Sequence, residues 1–269
     1  MLDDGENFWF KQLMKTSGNT ILITGGTSGI GFEMSKQFLK AGNTVIVTGR
    51  DKIKLEKIKA AMPELHIYQS DVSNPLEITD LFKKLTGDFP ALNILINNAG
   101  IMKSVNIHNS QETLEKLTQE IDINLKGPIQ MSKIFIEHLK KQKTAAIVNV
   151  SSGLAFVPLP ISPVYCATKA GLHSFTQSLR AQLKNTSIKV FELAPPATAT
   201  ELLSSMDQED MKGVTIMPVT QMVTEFFNGF AKDQLEICPG QSKQLRFLSR
   251  VAPGFILKQM SKTVDRMLN

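Results

Sequence analysis

Two tyrosines occur in the chain, Tyr68 and Tyr165, and only Tyr165 has a lysine four positions later. On a helix that spacing puts Tyr165 and Lys169 on one face. A phenol ionises at about pH 10 and is a poor base at neutral pH, but a neighbouring ammonium favours the phenolate and is expected to lower that value. The pair can then exchange a proton with a substrate oxygen. Ser152 stands 13 residues before Tyr165, at the end of the apolar run AAIVNV. Its hydroxyl can lie beside the phenol and hold the same oxygen. Ser151 is adjacent but should point elsewhere.

A second group of residues can hold a dinucleotide. TGGTSGIG, Thr24 to Gly31, follows the β-rich run ILIT and places Gly25, Gly29 and Gly31 in a GxxxGxG spacing before a helical stretch. Glycines permit positive φ and let the backbone approach a pyrophosphate, which the helix N-terminus then stabilises. Thr27, Ser28 and Ile30 complete that turn. A P-loop is disfavoured, because Phe32 follows Gly31 where a lysine is required.

The end of the second strand separates NADP from NAD, because a carboxylate there binds the ribose 2′-hydroxyl and repels a 2′-phosphate. Here Gly49 takes the acidic position and Arg50 offers a planar cation, so NADP is favoured over NAD. Asp51 either starts the next helix or turns toward the ribose. Asp71-Val72 and Asn97-Asn98-Ala99-Gly100 end the third and fourth strands at the same rim, where short polar and small side chains can edge an adenine and its ribose. Asp71 also suits a helix cap ahead of Asn74-Pro75.

These residues need a frame that brings strand ends together. Strands are expected at 21–24, 44–48, 66–69, 93–97, 145–150 and 189–193, with helices between them. Their near-continuous hydrophobicity fits a parallel sheet covered on both faces, a Rossmann-type, doubly wound α/β fold. Gly127-Pro128 should bend or split the helical run from about 111 to 141. Residues 198–217 have no clear period and read as a substrate lid, while residues 1–19 read as an N-terminal extension with Met14 as an alternative start. The expectation is one domain over 20–269.

The chain has 269 residues, 42% of them hydrophobic, with a net charge of +5 that resides in its last 30 residues. There six basic residues face Asp265 alone, and Phe255, Ile256, Met260, Val264 and Met267 recur at near-helical spacing. This predicts a basic amphipathic helix packed on the domain with a solvated basic face; a membrane surface is the less favoured partner, and nucleic acid is not expected. No stretch approaches a membrane span and MLDDGENFWFKQL lacks a signal-peptide pattern, so a cytoplasmic location is expected. Cys166 and Cys238 stand alone, which suggests neither a disulfide framework nor a metal site.

TGGTSGIG, Asp71-Val72, NNAG, Asn124, Ser152, YCATK and a later proline turn, in that order, resemble the short-chain dehydrogenase/reductase family over roughly 20–200. The resemblance implies hydride transfer between NADP(H) and a small carbonyl or alcohol substrate, with Tyr165, Lys169, Ser152 and Asn124 as the catalytic set. It also implies that Lys169 holds the nicotinamide ribose, that Asn124 orders a relay water, that Asp71 contacts adenine and that NNAG (Asn98, Ala99, Gly100) supports the cofactor. Pro195, Thr198 and Thr200 would contact the cofactor, and a homodimer or homotetramer is implied. One departure is Pro196, where the family usually has glycine, so the nicotinamide pocket should differ in detail. The Pro-Pro turn and the PGQSKQLRFLSR tail are similar to a bacterial branch that includes an oxidoreductase encoded with teichoic-acid D-alanylation proteins.

Leu154, Ala155, Phe156, Val157, Leu159, Leu202, Leu203, Met206 and Met211 predict an apolar pocket wall and hence a moderately apolar ketone or aldehyde. A non-catalytic dinucleotide sensor is disfavoured because Tyr165 and Lys169 are both present, and a peripheral reductase of lipidic substrates is the other alternative. A serine hydrolase is disfavoured because no GxSxG stands after a strand and His66, His108, His138 and His173 have no recognisable partner.

Overall fold

A computed structural model describes residues 13–109, 111–204, 214–264 and 267. Seven strands form one parallel sheet: β1 (Thr20–Thr24), β2 (Thr44–Gly49), β3 (His66–Gln69), β4 (Leu92–Asn97), β5 (Ala145–Val150), β6 (Ile188–Leu193) and β7 (Glu236–Ile237), in the order β3-β2-β1-β4-β5-β6-β7. Alternate side chains of one strand feed opposite layers: Ile21 and Ile23 of β1 enter one apolar cluster and Leu22 the other. Both faces are buried, which is why these strands read as unbroken apolar runs. The helices α1 (Gly29–Lys40), α2 (Lys52–Ala61), α3 (Pro75–Asp88), α4 (Leu114–Ile121), α5 (Gly127–Leu139) and α6 (Pro163–Gln182) connect the first six strands.

The remaining helices are α7 (Glu201–Ser204), α8 (Val219–Ala231), α9 (Gln241–Val251) and α10 (Pro253–Met260). Phe38 of α1 packs with Phe226 and Phe230 of α8 beneath one face of the sheet. Met131 and Phe135 of α5 fill the other with Leu179 of α6. Among the described residues no helix is long and apolar enough to cross a membrane.

The six expected strands lie within a residue of the observed ones. β7 escaped the reading because it has two residues, and its pairing rests on Glu192 and Leu193 rather than on a pattern of its own. Gly127-Pro128 splits its helix as follows. Pro128 has no N–H for the Asn124 carbonyl four residues before it, the turn Asp122–Lys126 widens to a π-helix, and Gly127 N–H reaches Asp122 instead.

The basic tail departs from expectation. It is two helices rather than one, because Pro253 cannot donate and starts a new helix. Ile256 is buried and Met260, Val264 and Met267 are half-buried as the spacing suggested, but Phe255 is exposed, together with Phe247 and Val251. The outward face is therefore mixed rather than purely basic. Of the lid segment, the isolated bridge between Thr198 and Met217 is defined. Met206 and Met211 lie outside the described residues, as do residues 1–12 of the N-terminal segment. Met14 is buried in the core and its N–H donates to Asp233 at 3.1 Å.

Candidate active site

The strand order reverses between β1 and β4, and the loops leaving these two strands diverge from a shared crevice, the place where open α/β sheets take ligands. Gly25 has φ +63°, and a Cβ there would lie 2.7 Å from Ala99 Cα. A Cβ on Gly31 would lie 2.4 Å from Asn98 Nδ2 and 2.6 Å from the Gly25 carbonyl oxygen. Asn98 in turn donates to the carbonyls of Thr24 and Gly25 at 2.9 and 3.0 Å. The glycine turn and NNAG thus brace one another. Ser28 makes no capping bond to α1 and the first turn of α1 has no acidic residue, so its N–H groups face the crevice free to meet an anion. This cradle fits a dinucleotide pyrophosphate.

A cavity of about 990 Å³ runs from this turn across the sheet ends. It is lined by Gly25, Thr27, Ser28, Gly29, Ile30, Arg50, Asp71, Val72 and Asn98 to Gly100 on one side, and by Ser152, Tyr165, Lys169, Pro195, Thr198 and Thr200 on the other. Gly31 and Asn124 do not line it. Gly31 lies under the turn, and Asn124 is fully buried, its amide bonding the Ile101 N–H and carbonyl at 2.9 and 2.8 Å and Thr168 at 3.2 Å.

Two open choices resolve. Asp51 caps α2, accepting the Lys54 N–H at 3.0 Å. Asp71 accepts from the N–H and hydroxyl of Ser73 at 2.8 and 2.7 Å, while Asn74 caps α3.

Tyr165 and Lys169 lie one turn apart on α6, both buried, with the Lys169 ammonium 5.6 Å from the phenol ring centre. Ser152 Oγ accepts the Leu154 N–H at 3.1 Å and lies on the Tyr165 side of the cavity, where it favours the phenolate. Ser151 turns the other way and donates to Glu192 at 2.5 Å. Burial pushes the Tyr165 phenol up rather than down, against that effect of Ser152. Lys169 does not offset that rise: the same burial lowers the lysine to about 8, opposed by the charges of Glu120 and Glu192, and its ammonium donates to the Val150 carbonyl at 2.8 Å.

Glu120 was not singled out from the sequence, where it sits in a charged helical stretch with nothing to mark it as buried. It is 1% exposed. Burial raises its carboxyl to about 6, against the Lys103 N–H it accepts at 2.9 Å and the charges of Lys103 and Lys169. His173 has a partner that sequence did not reveal, its Nδ1 lying 2.7 Å from Glu192. Of the predicted apolar wall, Leu154, Leu159, Leu202 and Leu203 line the cavity, but Ala155, Phe156 and Val157 do not. Phe156 packs edge-on against His173 and Val157 is buried. The wall is completed by Ile101 and Met102 and, from the tail, by Leu245, Leu248, Ile256 and Met260.

Residues 19–211 match the family model described as short chain dehydrogenase. The chain is 40% identical over 250 residues to the uncharacterized oxidoreductase DltE of Bacillus subtilis, covering 92% of this chain and 98% of that protein. Among solved structures, a short-chain dehydrogenase of Sphingobium yanoikuyae in complex with NADPH superposes with a TM-score of 0.77 at 27% identity, covering 89% of this chain and 95% of the other. The 3-ketoacyl-(acyl-carrier-protein) reductase of Brucella melitensis complexed with NADH gives 0.75 at 27% identity, covering 85% and 100%. The crevice geometry and these likenesses agree: the chain belongs to the short-chain dehydrogenase/reductase family and is an NAD(P)-dependent oxidoreductase.

Proposed function

We propose that the protein reduces a moderately apolar ketone or aldehyde with NADPH, using Tyr165 as the proton donor. The observation that carries this reading is the convergence of Ser152, Tyr165 and Lys169 on the cavity that also holds the glycine turn, beside an apolar wall. Ser152 holds the carbonyl oxygen, and the Tyr165 hydroxyl donates its proton to that oxygen. NADPH held by the glycine turn, Arg50 and Lys169 would supply the hydride that the carbonyl carbon receives. Lys169 would stabilise the phenolate left behind and hold the nicotinamide ribose hydroxyls. Asn124 fixes the Ile101 backbone at the wall, and its place in the widened helical turn suits the water-ordering role that the family resemblance implies.

Arg50 lines the cavity just after β2, where it would meet the 2′-phosphate of NADPH. Asp51, the nearest carboxylate along the chain, is engaged as a helix cap. Fluorescence titration of NADPH and NADH tests both choices. Arg50→Ala is expected to weaken NADPH binding by about tenfold or more, the scale of a charge-assisted hydrogen bond, and to leave NADH binding nearly unchanged. Equal losses for both dinucleotides would remove Arg50 from the assignment.

A further inference from the structure

Behind Ser152 lies a cluster of charges that takes no direct part in the reaction. Glu192 of β6 is completely buried. It accepts from Ser151 at 2.5 Å and pairs with His173 of α6 at 2.7 Å. Glu236 of β7 pairs with Arg246 of α9 at 2.5 Å. Ligand-type atoms of His173, Glu192 and Glu236 all lie within 4.8 Å of one another. Two carboxylates so close repel unless each has a positive partner, and a buried one without a partner is strongly destabilising. Arg246 and a protonated His173 are their direct partners, and Arg180 adds positive charge without bonding either carboxylate.

The cluster touches the substrate side at two places. Phe156, which closes the 3-10 turn Gly153–Ala155, packs edge-on against the His173 ring at 5.1 Å. Helix α9, which carries Arg246, presses on the same turn: a Cβ on Gly153 would lie 2.8 Å from Ser242 Oγ and 3.2 Å from Leu245 Cδ1. Leu245 and Leu248 of α9 then face the cavity.

We propose that Glu192, His173, Glu236 and Arg246 form a clasp whose charge balance fixes α9 against the Ser152–Phe156 segment, making them positioning residues for substrate recognition. The proposal rests on the cavity beside Ser152 receiving the carbonyl substrate. Glu192 raises the pKa of His173 above its ordinary value, opposed by burial and by Arg246, while Glu236 adds to the rise. The sign follows. The clasp is complete below about pH 6.5 and weakens as pH climbs through the raised value. Also at the cluster, Arg180 stays cationic, donating to the carbonyls of Val190 and Leu235, and burial holds the Cys238 thiol at about 11.

Hydrogen–deuterium exchange of residues 241–251 in the full-length protein, corrected for intrinsic rates, reads the clasp without any substrate. From about pH 6 to about pH 9 the protection of α9 is expected to fall by about tenfold, the scale of one charge-assisted hydrogen bond. Arg246→Ala should abolish protection at both pH values, Arg246→Lys should restore most of it, and His173→Gln should remove its pH dependence while the protein stays folded. With a reducible carbonyl compound, Arg246→Ala should raise KM by about tenfold with NADPH affinity unchanged. Protection of α9 that is independent of pH in the parent protein and unaffected in Arg246→Ala would overturn the clasp. Failure to reduce any carbonyl compound, with exchange behaving as described, would overturn the substrate assignment and its positioning role while leaving the charge linkage in place.

Discussion

Replacing Tyr165 with phenylalanine is expected to lower kcat for the proposed carbonyl reduction by about 10²–10⁴-fold, the usual contribution of a positioned general acid. The ring still fills its buried place on α6, so NADPH titrated by fluorescence binds as before. Activity within tenfold of the parent would remove Tyr165 as the proton donor. The pH profile carries a second signature. The Lys169 ammonium, lowered by burial to about 8, is charged below that value and neutral above it. If the charge stabilises the phenolate formed as the proton leaves, as proposed, reduction at saturating cofactor is expected to slow as pH rises through about 8. Glu120 supports that charge, so Glu120→Gln shifts the fall to lower pH; an unshifted profile would mean the two groups are uncoupled.

Phe226→Ala is expected to destabilise the protein by about 3–5 kcal/mol, the range for emptying a buried aromatic site. Phe226 is fully buried, its ring centre 6.2 Å from Phe38 and 5.5 Å from Phe230, and it joins α1 and α8 to the sheet. A domain has about 5–15 kcal/mol in hand, so this single change removes a large share. Thermal unfolding followed by circular dichroism should show Tm lowered by roughly 10 °C. A shift of only a degree or two would mean that neighbouring side chains collapse into the space.

Much of this was legible in the chain itself, for identifiable reasons. Strands buried on both faces write themselves as apolar runs, and the glycine spacing marks a turn that tolerates no Cβ at Gly25 or Gly31. The meeting of Ser152, Tyr165 and Lys169 follows from one helix period and one strand end. What stayed hidden depends on desolvation and on partners distant in sequence. The spacing of Tyr165 and Lys169 says that they are neighbours but not that burial weakens the lysine's charge. Glu120, Glu192 and His173 look like ordinary polar residues until α4, β6 and α6 enclose them. Pro253 marks the break in the tail, but the apolar spacing that suggested one helix, Phe255 to Met267, lies wholly after it and says nothing of α9.

The wall built by α9 and α10 separates two inheritances within one cavity. The pyrophosphate end of the cradle is made from loops after the first four strands, whereas part of the apolar wall draws on residues 245–260. Substitutions in that late segment can therefore change which compound is accepted without disturbing the glycine turn, so selection can retune specificity and cofactor use almost independently. The same division orders events on the ribosome: the glycine turn emerges early, and the apolar wall stays incomplete until α9 and α10 have been synthesised.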